Sequence, residues 1–238
     1  MLISSRICRY FSKLLRPQRG FTIIELLVVS FIMILITTTI LFRQQGFSSS
    51  TLLRSLAYSV ALSVRQAQVY GVSVREQTNA STGLGTGVFA QGYGVKFSNS
   101  GCSLNNKSRY QLFADIDGDG VLDSGEELPC YTVGNGRETD YKISNFCAHV
   151  ILSGATVCVV PNPPAITWLN VYFRRPNPDA CFATSVEPDA CASATAQTKY
   201  DYAYIQLQSQ GSSDTRTVKV TSTGQIAVCK LNTDPAAC

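Results

Sequence analysis

Acidic residues recur at fixed spacing in Asp115-Ile116-Asp117-Gly118-Asp119-Gly120-Val121-Leu122-Asp123-Ser124-Gly125-Glu126. Counted from Asp115, carboxylates fall at positions one, three, five, nine and twelve, and Val121 offers a backbone carbonyl at seven. Oxygen donors at those positions enclose a calcium ion, with the carboxylate at twelve binding through both oxygens. The glycine at six, here Gly120, permits the sharp turn. Five negative charges crowded into so short a stretch repel one another unless a cation joins them. The spacing therefore predicts calcium held by Asp115, Asp117, Asp119, Val121, Asp123 and Glu126. The plainer alternative is a solvated acidic turn without metal.

The flanks differ from those of an EF-hand. Tyr110-Gln111-Leu112-Phe113 reads as a strand, and Pro129 follows soon after the loop. A lone loop between strands fixes a surface connection. It has no helix pair to open, so it does not act as a sensor.

A second constellation is Arg19-Gly20-Phe21-Thr22-Ile23-Ile24-Glu25. Arg6, Arg9, Lys13, Arg16 and Arg19 precede it with no acid among them, and an apolar run continues to Phe42 and breaks at Arg43. Positive charge before an apolar run keeps the leader in the cytoplasm and sends the rest outward. A carboxylate inside such a run is costly, by roughly 2.5–3.5 kcal/mol at mid-membrane, so Glu25 needs a reason. A secretory signal would be cut after the run at small residues, and Arg43-Gln44-Gln45-Gly46-Phe47 does not fit that pattern. An uncleaved signal anchor is the remaining alternative.

This arrangement resembles the class III signal of type IV pilins and type II secretion pseudopilins. The resemblance implies that prepilin peptidase cuts after Gly20 and that Phe21 becomes the N-methylated terminus. It also implies that Glu25 neutralises the terminal amine of a neighbouring Phe21 in a helical filament, whose subunits meet through helix one. It further implies a single-pass protein of the inner membrane, N-terminus in the cytoplasm. After assembly the protein would reside in a pilus or pseudopilus, in the periplasm or at the cell surface.

Of the nine cysteines, Cys8 lies in the leader. Cys102, Cys130, Cys147, Cys158, Cys181, Cys191, Cys229 and Cys238 form an even set in a segment read as exported, which points to disulfides. No C-x-x-C pair occurs and His149 is the only histidine, which argues against zinc. Pairing near neighbours gives Cys102–Cys130, Cys147–Cys158, Cys181–Cys191 and Cys229–Cys238, one of 105 connectivities.

These features must be carried by larger elements. Residues 21–70 read as one long helix, with 21–42 apolar all round and 43–70 amphipathic. Leu53, Leu56, Val60, Val64 and Ala67 form its stripe, with Arg54, Ser55, Arg65, Gln66 and Gln68 off it. Gly46 and Ser48-Ser49-Ser50 predict a kink or local break. From residue 71 to 238 the period becomes strand-like. Candidate strands are 92–97, 109–114, 128–133, 141–144, 157–160, 166–174, 202–208, 215–221 and 225–230, with a tight turn at Ser222-Thr223-Gly224-Gln225. Residues 79–87 read as a loop, and Pro176 to Ala196 reads as an exposed loop closed by Cys181–Cys191. Helix first and strands after predict an α+β fold with an antiparallel sheet, a roll or sandwich packed on helix one.

Composition removes other function classes. Five of the 20 Lys and Arg lie in the leader, leaving 15 against 16 acids after residue 20. Bulk charge therefore gives no reason to invoke nucleic acid. No G-x-S-x-G, P-loop or H-E-x-x-H occurs, and His149 shows no readable acid–base partner, so no enzyme is predicted. The later segments lean toward the H-type minor pseudopilins and FimT-like minor pilins, through Gln66-Ala67-Gln68, Gly92-Tyr93-Gly94-Val95, Phe173-Arg174-Arg175-Pro176 and Thr223-Gly224-Gln225-Ile226. Some FimT-like pilins bind DNA through arginines of the last hairpin. Here Arg216, Lys219 and Lys230 are the nearby cations, and DNA uptake is the alternative function. A membrane-anchored calcium-binding domain that never assembles is another.

Overall fold

The computed structural model describes residues 20–73, 76–78, 85–100, 102, 109–133, 141–159, 165–192, 199–209, 213–230 and 238. The leader cations, Cys8 and Asn162-Pro163-Pro164 lie outside the described residues. The chain divides into two units, Met1–Phe47 and Ser48–Cys238.

In the first unit, helix α1 (Ile23–Val72) begins. Thr22 caps it: its hydroxyl accepts from the Glu25 N–H at 3.3 Å and its carbonyl from the Leu26 N–H at 3.1 Å. Thr22 and Glu25 thus stand in capping-box register. From Ile23 to Leu41 the helix is long and apolar enough to cross a membrane, and none of that stretch is buried. Its hydroxyls are satisfied within the helix. Ser30 donates to the Leu27 carbonyl at 2.9 Å, Thr38 to Ile34 at 2.7 Å and Thr39 to Leu35 at 2.7 Å. Internal pairing of this kind is what lipid, which offers no partners, demands. The helix does not break at Gly46 or at Ser48–Ser50. A mid-helix glycine costs about 1 kcal/mol and serine less, too little to interrupt a helix extended on both sides.

In the second unit, α1 turns its stripe inward. Leu53, Ala57, Val60, Ala61, Val64 and Ala67 are all buried. Among the described residues twelve strands follow: β1 (Glu76–Thr78), β2 (Gly85–Phe89), β3 (Gly92–Ser98), β4 (Arg109–Asp115), β5 (Glu127–Thr132), β6 (Tyr141–Val150), β7 (Thr156–Cys158), β8 (Trp168–Arg174), β9 (Ala180–Thr184), β10 (Tyr200–Ser209), β11 (Thr215–Thr221) and β12 (Ile226–Lys230). They build two five-stranded sheets, in order β5-β4-β3-β8-β9 and β12-β11-β10-β6-β7, beside the small pair β1-β2. Every recorded pairing is antiparallel. The arrangement is α+β and pilin-like. Strand alternation sends Val95, Leu112, Val171, Ile205 and Val218 into one core shared with the α1 stripe.

Two expectations are corrected. Residues 176–196 are not simply an exposed loop: they contain β9, which pairs with β8, and a short 3-10 helix (Pro188–Cys191) with Cys191 buried. Proline and alanine content hid a strand whose burial comes from its partner. Residues 85–87, read as loop, begin β2.

The outer face of the first sheet carries a second, smaller core of Phe113, Tyr172, Ala183 and Cys191, with Leu122, Trp168 and Cys181 packed on it. Phe113 and Tyr172 stack with ring centroids 6.3 Å apart. Gly94 and Gly92 lie beneath these rings, where any Cβ would collide with them. The Gly92-Tyr93-Gly94 alternation thus serves both layers: Tyr93 fills the main core and the glycines make room on the outer face.

Candidate functional site

The acidic loop connects β4 to β5 and folds over that outer core. Asp115 ends β4 and is fully buried, Glu126 is 4% exposed, and Asp117 and Asp123 are exposed. The loop brings its five carboxylates into two overlapping groups, Asp115–Asp117–Glu126 and Asp117–Asp119–Asp123. In each, ligand oxygens lie within 4.8 Å of one another. Backbone amides hold the geometry. Asp115 accepts from Gly118 N–H at 2.6 Å and Gly120 N–H at 3.1 Å, and Glu126 from Ile116 N–H at 2.7 Å and Asp123 N–H at 3.1 Å. Asp119 accepts from Val121 N–H at 2.7 Å. Gly120 adopts φ +78°, in the left-handed region that favours glycine, and faces the Cys191 Cβ.

The sheet below grips the loop at backbone atoms outside the donor set. Asn170 donates to the Gly120 carbonyl at 3.2 Å, Arg174 donates to the Gly118 carbonyl, and Gln91 donates to the Asp117 carbonyl at 3.2 Å. Arg174 also donates to the Tyr172 hydroxyl at 3.2 Å, and Tyr172 hydrogen-bonds to Asp115. Sequence reading assigned none of these supports, because Asn170, Tyr172 and Arg174 come from a strand 50 or more residues away and Gln91 from a turn 26 residues away.

Burial pushes the Asp115, Asp119 and Glu126 carboxyls above the ordinary carboxylate range, and neighbouring loop carboxylates add to the effect. Backbone N–H donors oppose it. A set of oxygens held close together, partly desolvated and mutually repelling has the chemistry to take a hard divalent cation.

The remaining predicted residues fall as follows. Gly20 and Phe21 lie exposed just ahead of α1, and Glu25 is exposed in its first turn. The structure contains the disulfides Cys102–Cys130, Cys147–Cys158, Cys181–Cys191 and Cys229–Cys238. Cys181–Cys191 ties the 3-10 helix to β9, under the acidic loop. Cys147 and Cys158 stand directly opposite on β6 and β7.

His149 does have an acidic partner: its Nδ1 lies 2.6 Å from Asp201, and its ring stacks on Tyr202 at 4.6 Å. The partner was invisible in sequence because the β6–β10 pairing supplies it. No nucleophile contacts this pair among the described residues. Of the cations near the last hairpin, Arg216 is 9% exposed and bonded to Asp214 at 3.1 Å. Lys219 is 8% exposed and lies over the Tyr202 ring at 4.5 Å, while Lys230 is exposed.

A family model described as the prokaryotic N-terminal methylation motif matches residues 15–41. Neither the curated proteins nor the solved structures give a match to this chain. Residues 15–41 span Gly20, Phe21, Glu25 and the apolar first part of α1, so the match supports a type IV pilin-like N-terminus of the kind prepilin peptidase processes.

Proposed function

We propose that this chain is a minor pilin or pseudopilin, a subunit of a type IV pilus or type II secretion pseudopilus. The observation that carries the reading is the Gly20–Phe21–Glu25 register at the head of an unburied apolar helix, inside the matched methylation motif. Prepilin peptidase removes residues 1–20 and Phe21 becomes the methylated terminus. The apolar part of α1 sits in the inner membrane first and in the filament core afterwards. There Glu25 meets the Phe21 amine of a neighbour, a pairing that offsets the burial of both charges. Mass spectrometry of the mature N-terminus tests this. A methylated Phe21 supports it, and retention of residues 1–20 removes it.

Calcium belongs to the same proposal. Asp115, Asp117, Asp119, Asp123 and Glu126, with the Val121 carbonyl, would hold one ion, and the two overlapping carboxylate groups fit it. Bound there, calcium would cancel the repulsion among the five charges and clamp the loop over the outer core. Calorimetric titration of the full chain with calcium, before and after chelation, checks the site. Absence of binding heat at millimolar calcium removes it.

A further inference from the structure

We infer that the calcium site has a wall outside the acidic loop: the 3-10 turn Pro188–Cys191, pinned to β9 by the Cys181–Cys191 disulfide. This turn fixes the loop on the outer core and sets Asp189 beside it as a sixth carboxylate. Breaking the bridge weakens calcium binding, and bound calcium shields the bridge from reduction. The inference rests on the calcium reading of residues 115–126 and names what tunes that site.

The contact centres on Gly120, the glycine at position six. A Cβ placed there would stand 2.5 Å from the Cys191 Cβ, so loop and turn meet with no room between them. The Gly120 N–H donates to Asp115 at 3.1 Å, and its carbonyl accepts from Asn170 at 3.2 Å. Gly120 is thus held from three sides, by a ligand carboxylate, by β8 and by Cys191. Its chain neighbours Asp119 and Val121 are the predicted donors at positions five and seven. A displacement at Cys191 therefore reaches donors on both sides. Leu122, at position eight, and Cys181 pack on the same small core that holds Cys191, Phe113, Tyr172 and Ala183. The loop rests on this core at positions six and eight, between its ligands.

The turn has little else to hold it. β9 is the edge strand of its sheet. Where β9 ends, Thr184 and Glu187 exchange backbone hydrogen bonds at 3.1 and 3.2 Å. Past Glu187, among the described residues, no backbone hydrogen bond ties residues 188–192 to another element. The Ala192 N–H donates to the Asp189 carbonyl at 3.2 Å, inside the turn. Cys191 is nevertheless buried. The covalent link to Cys181 and the loop packed above it account for that burial.

Charge points the same way. Asp189 is exposed, and its charge opposes the ionisation of Asp119, as two neighbouring carboxylates do. Lys96 feels Asp123, and Arg174 bonds to the Gly118 carbonyl, so two cations offset part of the loop's charge. Asp189 adds to the negative side. Calcium affinity of such loops is tuned by ligand charge and by rigidity. Asp189 raises the first, and the disulfide raises the second. By linkage, whatever the bridge adds to calcium affinity, calcium adds to the bridge's resistance to opening.

The test titrates the full-length chain in nonionic detergent with calcium chloride, by calorimetry. The Cys181→Ala/Cys191→Ala variant binds at least about fivefold more weakly than the parent. The Cys147→Ala/Cys158→Ala control, which removes the bridge between β6 and β7, binds like the parent. Asp189→Asn binds about two- to fivefold more weakly at low salt, and the difference shrinks at about 500 mM salt. A second measurement needs no variant. The parent is pulsed with a dithiol reductant and an alkylating agent. The S–S bond opens, each cysteine sulfur gains one electron and one proton, and the reductant closes to its own disulfide. Calcium slows labelling of Cys181 and Cys191 and leaves labelling of Cys147 and Cys158 unchanged. A parent that binds no calcium removes the calcium reading and this inference with it. A parent that binds calcium overturns the inference alone if its affinity survives loss of the bridge, if Asp189→Asn matches it at low salt, or if labelling of Cys181 and Cys191 ignores calcium.

Discussion

The Gln68 side-chain amide donates to the Gly224 carbonyl at 3.0 Å and to the Pro178 carbonyl at 2.8 Å. One helix residue thereby fastens the β8–β9 connection and the β11–β12 turn to α1. Gln68 is 3% exposed, although the stripe of larger side chains suggested it faced away. It lies four residues after Val64, on the same face. Its burial is tolerated because both carbonyls and the Arg65 guanidinium satisfy the amide.

Replacing Gln68 by Ala leaves two carbonyls short of a donor. The expected loss is roughly 1–3 kcal/mol of stability, read as a lower urea midpoint of the full chain in detergent. An unchanged midpoint would show that the two contacts contribute nothing.

The turn beside it gives a contrast between two glycines with positive φ. Gly224 (φ +77°) is pressed against the Pro178 carbonyl, whereas Gly87 (φ +75°) has open space around its Cβ position. Gly87→Ala should cost only the left-handed backbone term, about 1–2 kcal/mol. Gly224→Ala should cost clearly more, because the collision adds to it. Equal shifts in thermal midpoint would contradict the packing described.

Carboxyls whose folded pKa is raised bind more protons folded than unfolded, so stability falls as pH rises toward their folded pKa values. Asp115, Asp119 and Glu126 are such groups. In chelator, their contribution should make the chain more stable near pH 5 than near pH 7. Added calcium should reverse that order, since protons compete with the ion. Melting curves at both pH values, with and without calcium, decide it; a chelated chain favoured by the higher pH would speak against the assignment.

Glu25 has two separable physical roles. Its backbone N–H is part of the Thr22 cap, and its side chain is the proposed assembly charge. Glu25→Gln keeps the cap and should stop incorporation into filaments. Thr22→Ala keeps the charge, costs about 1 kcal/mol of helix start, and should leave most incorporation intact. Immunoblots of sheared filaments distinguish them, and normal incorporation of Glu25→Gln would remove the charge from the mechanism.

The α1 segment was legible because helical periodicity and apolar length act locally. The 215–221 strand and the tight turn after it were equally clear, since alternation and turn chemistry need no distant partner. β9 was not legible: Ala180–Thr184 becomes a strand only by pairing with β8 and bonding Ser222 at Ala180. Full burial of Asp115 was likewise unreadable, because Tyr172 reaches it from another strand.

By itself, the sequence determined the local chemistry: the Gly20–Phe21–Glu25 register, the oxygen spacing of residues 115–126, and an apolar stretch that water will not solvate. These follow from covalent order and from periods of a few residues. Only the tertiary structure decided what surrounds that chemistry. It laid the acidic loop on a second core where Arg174 and Asn170 hold it, turned Gln68 inward, gave His149 its aspartate, and drew Arg54, Arg216 and Lys230 to one cleft. Those relations depend on strand register and helix packing across more than a hundred residues, where burial and hydrogen bonding outweigh local preference.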